Sequence, residues 1–176
     1  MSTKVVCKFV AVVLLFSGAA FAETQAERIE AGCLQCLQAN FAAYNAEDVP
    51  AMMETLSPRL PGRDEFARES QKLFDSADPY ISIRGFKVIH CQAPIVAAYV
   101  VQATHVDRSA AEATSFRQQS ALLPVDEYTE YIQQFVWDGQ QFKMWLTVTE
   151  PKKLTEPQAQ SRCSGGNCSF PRVVVK

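Results

Sequence analysis

Hydrophobic residues recur at helical spacing between residues 26 and 45. Ile29, Cys33, Leu37 and Phe41 follow one another every four residues. This spacing places their side chains on one stripe of an α-helix. The pattern therefore predicts an amphipathic helix over 26–45 that packs through this stripe.

Two shorter helices are predicted next. Asp48 can cap the second helix, and Pro50 falls in its first turn, where the missing N–H breaks no helical hydrogen bond. This helix ends before Pro58. After a tight connection over residues 57–62 (SPRLPG), a third helix is predicted over about 63–76. Its apolar side is formed by Phe66, Leu73 and Phe74.

From Tyr80 onward the hydrophobic period changes to two residues, which is typical of β-strands. Strands are predicted over 80–91, 95–106, 127–137 and 141–150, with an irregular strand over 116–123. Three helices followed by about four long antiparallel strands predict an α+β fold. In this fold three N-terminal helices pack on one face of a curved antiparallel sheet.

Two local signals refine the predicted strands. The alternation in the first strand slips near Gly85, and a glycine at such a slip indicates a β-bulge. Asp138-Gly139 lies between the last two strands and is a strong signal for a two-residue hairpin turn.

The first 22 residues have the composition of an export signal. Two lysines precede a short apolar run over 9–16, and Ala20-Phe21-Ala22 offers small residues at the two positions that a signal peptidase reads. The apolar stretch over 9–22 is too short to cross a hydrocarbon core of about 30 Å as a helix. We therefore expect a mature chain that begins at Glu23, has no membrane span, and lies in the periplasm or the extracellular medium.

Cleavage after residue 22 leaves 154 of the 176 residues, which is the size of one domain. We expect that domain over 23–150. A C-terminal tail over 151–176, rich in Lys, Gln, Ser and Pro, is expected to have little core of its own. The mature chain keeps all 19 acidic residues and 15 of the 17 basic ones, a net charge of −4. The absence of a basic stripe argues against nucleic acid as a partner, because phosphate neutralisation dominates that affinity.

Five cysteines remain once Cys7 leaves with the signal, so at least one thiol is unpaired or pairs between chains. Export makes disulfides chemically possible. Cys163 and Cys168 enclose Ser-Gly-Gly-Asn, and these residues permit the turn that brings two Cα atoms within disulfide range. A small disulfide loop in the tail is the first prediction for this pair.

Cys33 and Cys36 form a Cys-x-x-Cys pair on the apolar stripe of the first helix. A redox pair places its first cysteine at a helix N-terminus, so buried structural cysteines are favoured here, with one of them, such as Cys36, bridged to Cys91. A zinc site that joins this pair to Cys163 and Cys168 has the right ligand count. This zinc site ranks well below the structural interpretation, because buried helical thiols would have to meet the tail. We expect no metal and no cofactor.

Four stretches of the chain stand in a characteristic order. They are the helix join YNAEDVPAMMETL (44–56), the start of the third helix GRDEFARESQKLF (62–74), the strand pair over 86–106 and the closing hairpin YIQQFVWDGQQFKMWLTV (131–148). Together they resemble the nuclear transport factor 2-like superfamily over about 27–150. This is the cone-shaped fold of ketosteroid isomerase, scytalone dehydratase and SnoaL-like proteins. The resemblance implies a deep pocket between the helices and the sheet, and often a dimer through the outer face of the sheet.

The isomerase chemistry of that superfamily does not transfer to this chain. Asn40 stands where the isomerase has its oxyanion-hole tyrosine, and the connection over 57–62 is too short for the strand that carries the base and contains no acid. Catalytic residues therefore stay unassigned. The candidates for a ligand pocket are polar residues of the first helix and of the strands: Asn40, Tyr44, His90, Gln102, His105 and Gln134.

These features favour an exported, non-catalytic domain that binds a small apolar molecule or a protein partner, as a homodimer. The alternative is a small pocket enzyme of lyase or isomerase type, which needs an acid or base with a shifted pKa inside the cone. A third hypothesis is a thiol-based redox or metal-binding role that rests on Cys33, Cys36, Cys163 and Cys168.

Protein purified from an exporting host tests the predicted leader. We expect N-terminal sequencing to begin at Glu23, and we expect Ala22→Asp to block processing because the peptidase reads a small residue there. Ala19→Asp, outside the two positions that are read, is the matched control and should be processed. A wild-type chain that keeps residues 1–22 after export would contradict the prediction.

Overall fold

The structure, a computed structural model, describes residues 24–107, 127–164 and 167–168. It confirms the α+β class. The elements in chain order are α1 (Gln25–Asn45), α2 (Val49–Thr55), α3 (Arg63–Ser76), β1 (Asp78–Gln92), β2 (Ile95–Asp107), β3 (Glu127–Trp137), β4 (Phe142–Thr147), β5 (Lys152–Leu154), α4 (Glu156–Arg162), β6 (Cys163–Ser164) and β7 (Asn167–Cys168). The irregular strand predicted over 116–123 lies outside the described residues.

The main sheet is antiparallel and runs in the order β1-β2-β3-β4. β5 also pairs with β3, so β4 and β5 follow each other along that strand. Alternate residues of a strand point to opposite faces. We call the face that packs on α1 the inner face, exemplified in β2 by Val96, Ala98 and Val100, and the opposite face, which carries Tyr99 and Val101, the outer face.

β1 confirms the predicted bulge and adds another. Its register against β2 shifts between Ile83 and Gly85, as the slipped alternation indicates, and shifts again between Val88 and His90. Each bulge bends the strand and increases its twist. The long edge strand is therefore bent at two points along its length.

The turn between β3 and β4 is longer than predicted. Trp137 pairs with Phe142, so the loop is four residues long instead of two. The Asp138 side chain accepts hydrogen bonds from the backbone N–H groups of Gln140 and Gln141, at 2.9 and 2.8 Å. This side chain caps the wider loop, and Gly139 supplies the positive φ of 107° that the loop needs.

The predicted amphipathic stripe of α1 packs on the inner face. Cys33 and Leu37 are completely buried, and Ile29 and Phe41 are each 6% exposed. They belong to one core cluster with strand residues that include Val100. A Thr24–Glu27 capping box starts the helix.

Asn45 fixes the far end of α1 against the sheet. Its side-chain Nδ2 donates to the Ile81 carbonyl at 2.9 Å, and its Oδ1 accepts from the Ile81 N–H at 2.8 Å. The N–H group and the oxygen of the Asn45 side-chain amide thus both bond to the backbone of Ile81 in β1. This pair sets the position of the helix along the sheet.

α2 and α3 begin as predicted, but α3 packs differently. The Asp48 side chain accepts from the Ala51 N–H at 2.9 Å, which confirms it as the cap of α2. In α3, Phe74 is buried, whereas Phe66 and Leu73 are 43% and 39% exposed. The apolar side predicted for this helix is therefore only partly buried by the described residues.

The C-terminal residues contribute more to the core than expected. Leu154 of β5 and Ala159 of α4 are buried in a second cluster with Tyr99 and Val101. The expectation of little core after residue 150 is wrong for this stretch, because β5 extends the sheet and α4 lies on its outer face. The face through which the resemblance implies a dimer is thus partly covered by the chain itself.

No helix among the described residues is long and apolar enough to cross a membrane.

Asn45→Ala should lower the free energy of unfolding by about 1–3 kcal/mol, because it removes two hydrogen bonds and leaves two backbone groups of Ile81 without their partner. Urea denaturation of the mature protein measures the change. Gln38→Ala, at an exposed position of the same helix, is the control and should stay within about 0.5 kcal/mol of the wild type. Equal stabilities of the two variants would contradict this role of Asn45.

Candidate functional site

The space between α1 and the inner face is occupied by side chains. Cys33 and Leu37 from the helix meet Val96 and Phe135 from the strands, and all four have no exposed surface. Among the described residues, a packed core therefore occupies the position where these four side chains meet and where the resemblance implies a deep pocket.

A groove lies instead along a flank of α1, next to the apolar stripe, between that helix, α2 and the loop that joins β3 to β4. We call it the α1–hairpin groove, and its volume is about 900 Å³. Its walls are formed by Gln25, Arg28, Ile29, Gly32, Gln35, Cys36 and Ala39 of α1, Ala51, Glu54 and Thr55 of α2, and Trp137, Gln140, Gln141, Phe142 and Lys143 of the hairpin.

Gly32 permits α1 to approach the hairpin. A Cβ atom built at this position would lie 2.9 Å from Cδ2 of Phe142, closer than side chains normally approach. A glycine inside a helix costs about 1 kcal/mol relative to alanine. Its position opposite Phe142 explains why the helix carries a glycine here.

Aromatic rings form the hairpin wall. Phe142 is buried, and its ring meets Trp137 edge to face with centroids 5.1 Å apart and an interplanar angle of 65°. Trp137 itself is 42% exposed. The contact with Phe142 therefore holds a largely open indole ring at the edge of the groove.

The hairpin is also attached to α2 by polar contacts. The Lys143 ammonium donates to the Glu54 backbone carbonyl at 2.5 Å, and the Ser57 N–H donates to the Met144 carbonyl at 2.7 Å. Backbone hydrogen bonds from Gln141 and Gln140 lower the pKa of Asp138 at the loop. These contacts fix the two walls of the groove relative to each other.

Cys36 reaches the groove floor as a protonated thiol. Its Sγ donates to the Thr55 carbonyl at 3.7 Å, and burial raises its pKa to about 11. Burial, with a further contribution from Cys36, also raises the pKa of Cys33. A thiol with a raised pKa is a poor nucleophile at neutral pH, so the geometry favours the structural interpretation of this pair.

The expected bridge from the helix pair to Cys91 is wrong. Cys33 and Cys36 are both free thiols, and Cys91 is not free. The stripe of α1 directs both thiols into helix and strand packing. The loop disulfide predicted for Cys163 and Cys168 concerns side chains outside the described part of the chain and stays a prediction.

No group of three or more His, Cys, Asp or Glu side chains within the described residues could hold a metal ion. The side chains of Cys163 and Cys168, on which the zinc hypothesis also rests, lie outside the described part of the chain.

Three of the predicted pocket residues lie on α1 or on the inner face of the sheet, and their side chains contact other residues of the protein. Asn40 is buried and donates to Thr55 Oγ1 at 2.7 Å, which joins α1 to α2. Tyr44 packs edge to face on Phe74, 5.1 Å away, and burial raises its pKa. Gln102 accepts a 2.8 Å hydrogen bond from the Tyr131 hydroxyl on the inner face.

The other three predicted residues belong to the outer side of the sheet. Gln134 pairs with Ala97, and so does His90, which is exposed. His105 is completely buried, with its ring 5.9 Å from that of Tyr80. None of the six predicted residues lines the α1–hairpin groove.

Sequence reasoning passed over the residues that do line it. Gly32 and Ala39 stand seven residues apart on α1, on the flank next to the apolar stripe, and small residues at this spacing permit a close neighbour. The mid-helix Gly32 was the strongest available signal.

Solved structures confirm the fold. The chain matches Aln2 from a Streptomyces species with a TM-score of 0.55 and 12% identity, over 74% of this chain and 94% of Aln2. It matches Bd1075 from Bdellovibrio bacteriovorus with a TM-score of 0.54 and 9% identity, over 74% of this chain but only 42% of that protein. A third match, from Streptomyces avermitilis, was named as a candidate dehydratase of the nuclear transport factor 2-like family. It has a TM-score of 0.51 and 10% identity, over 69% of this chain and 94% of that one.

No protein-family model and no curated protein matches the chain. At these identities the solved structures show the fold alone. That fold is the nuclear transport factor 2-like fold that the order of helices and strands resembles.

The thiols of α1 give a pH-dependent prediction. Because the folded-state pKa of Cys36 is about 11, against a usual value of 9.0, its contribution to stability is complete below pH 9. That contribution is lost as the pH rises through about 11, since the unfolded thiol ionises first. We expect the thiols of Cys33 and Cys36 to react with Ellman's reagent at pH 8 only after denaturation. Rapid reaction of Cys36 in the native protein, read against the Cys36→Ser variant, would contradict the assignment.

Proposed function

We propose that the protein is an exported, non-catalytic binding module that takes a small molecule in the α1–hairpin groove. The observation that carries the proposal is the exposed Trp137 ring, held by Phe142 at the edge of a cavity of about 900 Å³. Sites for small molecules are concave, with apolar and aromatic walls and a few polar groups that orient the ligand.

The groove supports a ligand that combines a flat apolar face with hydrogen-bonding groups. Trp137 and Phe142 supply the apolar wall, and Gln35 and Gln141 supply amides on opposite walls. From the sequence we expect a purely apolar ligand. The proposed ligand differs because the inner face is filled and the groove has both apolar and polar walls.

The arrangement of charged groups favours binding over catalysis. A general acid or base must be positioned within hydrogen-bond reach of the reacting atom and have a pKa suited to its task. Burial raises the pKa of Cys36 in the groove wall and keeps its thiol protonated. Lys143 is engaged by the Glu54 carbonyl.

Export is supported by the first 22 residues: two lysines, a short apolar run and the Ala-Phe-Ala site. The five cysteines of the mature chain fit an oxidising compartment, where disulfides can form.

Binding of the planar aromatic probe 1-anilinonaphthalene-8-sulfonate tests the groove. We expect the native protein to bind the probe and to transfer excitation from Trp137. Trp137→Ala should weaken the probe's binding at least about tenfold, which corresponds to ~1.4 kcal/mol, because it removes the exposed aromatic wall.

The second tryptophan supplies the matched control. Trp145 does not line the groove, so Trp145→Phe should bind the probe like the wild type. Far-ultraviolet circular dichroism verifies that both variants are folded. Equal binding by the Trp137→Ala and Trp145→Phe variants would place the probe elsewhere and contradict the proposal.

A further inference from the structure

Four of the polar side chains that line the α1–hairpin groove are carboxamides. Gln25 and Gln35 project from α1, and Gln140 and Gln141 stand on the facing loop. All four are exposed. Within the described residues their side-chain amides make no hydrogen bond to protein, although the backbone N–H groups of Gln140 and Gln141 are bound by Asp138. The loop backbone is thus fixed while the side-chain amides remain available.

A carboxamide both donates and accepts hydrogen bonds. The same is true of a hydroxyl group, so a row of carboxamides matches a ligand that carries many hydroxyls. An anionic or cationic ligand would instead be matched by side chains of one charge. The groove holds both signs, in Arg28, Lys143 and Glu54, and the Lys143 ammonium is already bound to a carbonyl.

The exposed ring of Trp137 supplies a second, independent feature. Pyranose rings present a flat face of C–H groups, and such a face packs on the negative face of an indole ring. The edge-to-face contact with Phe142 fixes the orientation of the Trp137 ring before any ligand binds. A fixed ring loses less conformational entropy on binding than a mobile one.

We propose that the α1–hairpin groove binds a short neutral oligosaccharide. One sugar ring packs on Trp137, and the hydroxyls bond to the glutamine side chains of the two walls. A volume of about 900 Å³ is at the upper end of the range for small-molecule sites and accommodates more than one sugar ring. This inference rests on the proposed function, because it names the ligand class of the same groove.

Titration of the mature protein with cellotriose, chitotriose and maltotriose tests the ligand class. Tryptophan fluorescence and calorimetry measure binding by the wild type and by four variants. We expect at least one trisaccharide to shift the emission of the wild type and of Trp145→Phe, and not that of Trp137→Phe. Gln141→Ala should weaken its binding about three- to tenfold, because it removes an amide from the loop wall. Gln38→Ala, outside the groove, should bind like the wild type.

Competition with the aromatic probe separates the two proposals. Suppose that none of the three trisaccharides binds or displaces the probe, while probe binding still depends on Trp137. The proposal of an oligosaccharide ligand is then overturned, and the proposal that the groove binds small molecules is supported. If probe binding is independent of Trp137, the groove itself is wrong. A trisaccharide that binds Gln141→Ala and Trp137→Phe as tightly as the wild type also overturns the inference.

Discussion

The packing of α1 on the inner face of the sheet is the constraint on which the rest of the structure depends. Cys33 and Leu37 are completely buried in this contact, and Asn45 fixes the end of the helix through two hydrogen bonds to Ile81. Burial of large apolar side chains contributes about 1.5–3 kcal/mol each. With the apolar stripe of α1 buried in the core, the flank next to that stripe forms a wall of the groove.

Filling the inner face moves the candidate site from the interior of the cone to its side. In the resemblance the cavity lies between helices and sheet, but here Val96 and Phe135 occupy that position without exposed surface. The groove forms where Gly32 lets the β3–β4 hairpin approach α1. A chain of this fold can thus keep a packed core and still present a binding surface, because that surface lies on the flank of a helix whose apolar stripe is buried.

Much of the fold was predictable from the sequence, because it rests on local patterns. The four-residue repeat of α1, the Asp48 cap and the phase slip at Gly85 each have one physical interpretation, and each is confirmed. The site was not predictable in the same way. Strand parity alone does not say which face the helices cover, so His90, His105 and Gln134 were expected in a pocket and lie on the outer side. The groove joins residues 25–55 to 137–143, and the only local trace of that contact is Gly32.

The most direct measurement of where a ligand contacts this chain is amide chemical-shift mapping by NMR, with the bound aromatic probe on the mature protein. We expect the largest changes at Gly32 and Gln35 of α1 and at Gln141 of the hairpin, with the inner-face amides of Ala98 and Val100 unchanged. Changes concentrated at Ala98 and Val100 would show that α1 opens from the sheet to admit the ligand. That result would contradict a filled inner face and a groove on the flank of the helix.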